Sequence, residues 1–205
     1  MVQSFLAVPW FVLLRFHRWD DMLAVPDPGE KVPVARTLWH FARAEAYAGK
    51  TDIPNAKMER DRFYVESAAV PGDMPWGVNT AGPVLAVARA ELDARIAEAR
   101  GDSAGAISSW REAVQLQDAI PYDEPPDWYY WIRESLGAAL LRAGQYGPAE
   151  EVFREDLRRH PNNPRSLFGL VESLKGQKKA LPDGLDGQFR QAWRHAEKPL
   201  SIEDL

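Results

Sequence analysis

Residues 122–153, YDEPPDWYYWIRESLGAALLRAGQYGPAEEVF, decide how this chain is read. Leu136, Gly137, Leu140 and Leu141 recur at helical spacing, and Gly144 stands where a helix stops on a left-handed residue. From about Pro148 a second helix places Ala149, Val152, Phe153 and Leu157 on one face, before Pro161-Asn162-Asn163-Pro164 breaks the chain. Two helices of this size joined by about four residues form an antiparallel hairpin. Small residues at Gly137 and Ala149 let the two backbones come near the lower end of the ~8–10 Å interaxial range, and Phe153 fills the space toward a neighbouring hairpin.

The same register returns elsewhere. Ala94, Ala97, Gly101, Ala106, Trp110 and Ala113 fill it in residues 83–119. Downstream, Gly169 and Gly176 fit, but the helix that follows departs from the pattern. Upstream, Ala42 and Gly49 fit, with a turn about two residues too long before Ala56 and a polar second helix. Spacings of this kind resemble the tetratricopeptide repeat, with Gly137 and Ala149 at its small positions, Gly144 in its turn and Pro161 at its exit. The chain also resembles one group of bacterial tetratricopeptide-repeat proteins in RFHRWDDMLAVPDP, LWHFARAEA and YDEPPDWYYWIRESLGAALL. The motif of that group reads close to YxEPPxWYYPxRxSLGAALL, so Trp131 stands where proline is common. Members of the group are longer toward the N-terminus, and the resemblance is to their C-terminal part.

This resemblance implies an all-α fold, a right-handed α-solenoid of about four to five tetratricopeptide-like hairpins in a single domain over 1–205. Its parts are a partial unit at 1–26, a divergent unit at 33–70, repeats at 83–119 and 127–160, and a terminal divergent unit at 164–198. At the entry to the repeat at 127–160 the two prolines before Asp127 impose an extended approach, and Asp127 is placed to cap the helix that follows.

Charge and composition narrow the function. The 30 acidic against 25 basic residues give a net charge of −5, which argues against binding a nucleic-acid backbone. Without cysteine there is no disulfide, thiolate nucleophile or thiolate metal site. The apolar opening MVQSFLAVPWFVLLRF lacks a basic leader, is broken at Pro9, and falls short of the ~20 residues a membrane span needs. It reads as a buried helix, and the cytoplasm is the expected compartment. His17, His40, His160 and His195 show no paired-ligand spacing. Asp123 and Glu124 belong to the proline turn, and Gly72, Gly77 and Gly82 punctuate a loop rather than form a phosphate cradle. No catalytic constellation, metal site or cofactor is expected.

What remains is binding without chemistry. In a repeat array the inner, concave surface is lined by first helices, and on this register it carries Arg36, Trp39, Arg43, Glu91, Arg95, Glu98, Trp131 and Glu134. Mixed charges around two tryptophans suit a protein or peptide segment, with the arginines meeting carboxylates and Glu91 and Glu134 orienting them. A rival reading is an accessory metal- or small-molecule-binding protein using His40 and nearby carboxylates. A third is an array whose groove is filled by its own loop 71–82. The apolar N-terminal helix, with Phe5, Leu6, Val8, Trp10, Phe11, Val12, Leu13 and Leu14, is expected to pair with a second copy as a homodimer or to be the edge of a longer array, the alternative being a monomer that folds this helix back on itself.

Overall fold

The computed structural model describes residues 2–205, and they are almost wholly helical where they are regular. The chain divides into two compact units, one ending at Tyr130 and one running from Trp131 to Leu205. Among the described residues no helix is long and apolar enough to cross a membrane.

The first unit holds α1 (Val2–Arg15), α2 (Trp19–Ala24), α3 (Pro33–Gly49), α4 (Ile53–Ala69), α5 (Ala81–Ala99) and α6 (Ser103–Ala119). A two-residue hairpin, β1 (Pro75–Trp76) with β2 (Asn79–Thr80), fills the α4–α5 connection. Helices α3 and α5 pack against each other and each against its following helix, α4 and α6. The two hairpins are built alike. Each turn has three residues, a left-handed one (Thr51 at φ 60°, Gly101 at φ 76°) and then an aspartate, Asp52 or Asp102, whose carboxylate caps the next helix at Asn55 or Gly105. Helix α1 packs on α3, and its Ala7, Trp10, Phe11 and Leu14 are buried. Gln3 Oε1 accepts from the backbone nitrogens of Val34 and Ala35, supplying the cap that Val32 cannot.

The second unit holds α7 (Arg133–Arg142), α8 (Tyr146–Arg159), α9 (Pro164–Gly176), α10 (Leu185–Ala192) and a short 3₁₀ turn at Ile202–Asp204. Helix α7 packs on α8 and α9, α8 on α9, and α9 on α10. Gly144 takes φ 70° at the α7–α8 turn, as its position predicts. The buried Phe153 ring lies where a Cβ on either Gly137 or Gly169 would collide with it, so three helices meet on one side chain through two glycines. Near the C-terminus Phe189 rests on Phe168, and Trp193 Nε1 donates to Lys198 O at 2.7 Å.

The start of α7 differs from its sequence reading. The helix expected from Asp127 begins at Arg133, and residues 127–132 are turns. Asp127 instead accepts a 2.6 Å hydrogen bond from Asn79 Nδ2, while Trp128 and Tyr129 are drawn onto α5. The carboxylate caps nothing and the aromatics do not enter the helix.

Candidate functional site

Helices α3 and α5 bring a pair of carboxyl groups together inside the first unit. Glu91 is fully buried; its Oε2 accepts from Trp128 Nε1 and its Oε1 from Tyr129 OH, both at 3.0 Å. Glu45 is buried beside it, and Arg95 Nε lies 3.7 Å from Glu45 Oε1, beyond hydrogen-bond distance. That oxygen has no hydrogen-bond partner. Burial, and next the charge of Glu91, push the Glu45 carboxyl well above the usual carboxylate range. Burial raises Glu91 too, but the charge of Arg95 and hydrogen bonds from Glu45, Trp128 and Tyr129 pull against it. Both carboxyls are thus held above the usual range, Glu45 further than Glu91. Burial, then the neighbouring carboxylate charge, also holds the Tyr129 phenol well above its ordinary value.

The pair is sealed. Trp128 packs edge-on against Phe41 of α3, and Phe11 of α1 stacks on Tyr129 at 4.5 Å between centroids. Raised carboxyls are what acid–base chemistry uses, and here the pair lies buried beneath these rings. Toward the rim, Arg95 lies over the Trp110 ring and 3.6 Å from Glu98, whose Oε1 accepts from Trp110 Nε1 at 3.0 Å. Three of the residues expected inward, Glu91, Arg95 and Glu98, thus stand together with Glu45.

Arg36, Trp39 and Arg43 lie on another side of α3, where they hold the chain's own segment 23–27. Arg36 grips the Asp27 carboxylate, Nε lying 3.0 Å from each of its oxygens; Trp39 Nε1 donates to Val25 O at 3.1 Å; Arg43 Nη1 donates to Leu23 O at 2.9 Å. The ladder steps along one helix at i, i+3 and i+7 and reads a polypeptide by two carbonyls and a carboxylate. For Asp27, burial would raise the carboxyl, but the Gly29 backbone and the Arg36 guanidinium lower it on balance.

On the same side His40 is buried between acids. Its Nδ1 is 2.6 Å from Glu59 Oε2 and its Nε2 3.4 Å from Glu66 Oε1, while Arg43 Nε donates to Glu59 Oε1 at 3.0 Å. Burial alone would raise Glu59, but the His40 and Arg43 hydrogen bonds and charges win and leave it below the usual range. Among the described residues no group of three or more histidines and carboxylates has the geometry to hold a metal.

In the second unit Trp131 stacks on His160 at 3.7 Å, and His160 Nδ1 lies 2.8 Å from buried Asp156. Buried Glu134 accepts from Asn163 Nδ2 at 2.9 Å; Asn163 also donates to Asp156, and Ser166 Oγ donates to Asp156 at 2.6 Å. Ser166 is bonded to the carboxylate and not to the histidine, so the cluster lacks a nucleophile–base pair. It ties α7, α8 and the start of α9 together.

Sequence reasoning missed Phe41, Glu45, Trp128 and Tyr129 as members of the α3–α5 site. A signal for the first two exists. Pro33, Asp52 and Ala56 recur 50 residues later as Pro83, Asp102 and Ala106, and that offset pairs Phe41 with Glu91 and Glu45 with Arg95. Compared with models of protein families, with curated proteins and with solved structures, the chain gives no match.

Proposed function

We propose that this chain is a tetratricopeptide-like, right-handed solenoid of helical hairpins acting without chemistry, as a cytoplasmic scaffold that holds an extended, carboxylate-bearing protein segment. Support for the architecture comes from the matched hairpins α3–α4 and α5–α6 and from the repeat of the same packing order in α7, α8 and α9. The observation that carries the function is the Arg36–Trp39–Arg43 ladder on segment 23–27. Its donors recognise features of any extended peptide, two backbone carbonyls and one acidic side chain, and the bound stretch is itself partly exposed. A partner segment of the same pattern fits the ladder when the internal one yields.

Asp27→Ala removes the internal carboxylate and opens the Arg36 Nε side to a competitor, while Nη1 stays on Glu66 at 2.6 Å. A fluorescent peptide MLAVPDP, matching residues 22–28, should then bind at least ~10-fold more tightly than MLAVPAP by anisotropy, and Arg36→Ala should abolish the difference. Equal binding of the two peptides, or the same loss from Arg154→Ala and Arg158→Ala on α8, would remove the ladder from the function.

A further inference from the structure

Helix α1 is apolar on both sides. Its buried face, Ala7, Trp10, Phe11 and Leu14, is committed to the first unit; the opposite face carries Phe5 at 68 %, Val8 at 51 % and Val12 at 50 % exposure, continued by Phe16 at 69 %. These positions follow the 3–4–4 spacing that stacks side chains in one stripe along a helix. No charged residue occurs from Val2 to Leu14. A surface helix ordinarily turns a polar face to water, and a helix apolar all round is buried on all sides.

From this we infer that the outward stripe of α1 is the dimer interface of the protein, packed in twofold fashion against the same stripe of a second copy. Charge selects that occupant. A neutral stripe complements only another neutral apolar surface, since burying it against ions would strip their water without return. The other exposed large apolar residues do not form such a surface: Met58 and Val65 stand on α4 among Lys57, Asp61, Arg62 and Glu66, while Val78, Tyr122 and Tyr146 are isolated. Among the described residues the stripe matches only itself, which is what an isologous contact requires. A lipid surface would call for a basic rim, yet the first cation is Arg15, lying over the Tyr130 ring at 4.9 Å, in a chain of net charge −5.

Area sets the strength. At these exposures the stripe with Leu6 offers on the order of 500 Å² per copy, so a full pair buries roughly 1,000 Å², at the threshold for specific association. The dimer is therefore reversible and concentration-dependent.

Sedimentation over a concentration series, from low micromolar to several hundred micromolar, tests this. The wild-type chain should move from 23.1 kDa toward twice that mass, and Val8→Glu with Val12→Glu should stay monomeric with an unchanged helical spectrum. Because the chain has no cysteine, Val12→Cys should form a disulfide-linked dimer on mild oxidation, and Val78→Cys should not. A wild-type chain that stays monomeric throughout, equal cross-linking of the two cysteine variants, or a monomer that binds anionic phospholipid vesicles through the stripe would each overturn the assignment.

Discussion

The two sides of α3 bury carboxylates by opposite means. On one side Glu59 is surrounded by His40 and Arg43, whose hydrogen bonds hold it below its usual range. On the other, Glu45 meets a second acid, and burial together with that acid's charge holds it well above the usual range against the pull of Arg95. The difference shows that burial alone does not say how an acid behaves; the sign of its nearest partner does. The two sides consequently respond to pH in opposite directions. Glu59, with its folded pKa depressed, contributes stability that is present above the unfolded value of 4.5 and lost as pH falls through the folded pKa. Glu45, with its folded pKa raised, contributes stability that is full below that value and lost as pH rises toward the folded pKa, because there the unfolded chain has already released a proton that the folded one keeps.

The largest effect should come from breaking the cationic side. Glu59→Ala strands His40 and Arg43 beside an apolar gap and should cost about 3 kcal/mol, the low end for a buried pair that loses one partner, since Arg43 retains some solvent. Urea unfolding at neutral pH measures it. A smaller effect, of opposite sign, should follow on the acidic side. Glu45→Gln keeps a donor toward Glu91 without a titrating proton, so it should raise the thermal midpoint at pH 7 by a few degrees; it should also flatten the decline of stability with pH above 4.5, and a midpoint series from pH 4 to 8 reads both. The smallest belongs to a carboxylate paired in open solvent. Glu155 is held down to about 2 by Arg158 and Arg159, yet those partners are screened by water, and Glu155→Ala should leave the midpoint unmoved.

Local signals in the sequence foretell the helices and most of their ends, Gly144 and the α7–α8 turn above all. They fail at α3. Gly49 draws the turn two residues early, whereas the left-handed position belongs to Thr51, a residue with no special liking for it. Two residues on a helix are about 200° of rotation, enough to send Arg36, Trp39 and Arg43 to a different side from Glu45. The aromatics after Asp127 were illegible for another reason. Trp128 and Tyr129 answer to Glu91, dozens of residues away, and no local pattern records such a partner. The helical hairpins left more trace than the residues between them, because their spacing is written at fixed offsets and contacts are not.

The Phe153 ring between Gly137 and Gly169 has a consequence for how this sequence can drift. Either glycine gaining a methyl group alone meets the ring, and the ring shrinking alone leaves a void bordered by three helices. Only joint change keeps the space filled, so the three positions are inherited as one word rather than three letters. Descendants of this chain should carry glycine, phenylalanine and glycine together, or should have replaced all of them.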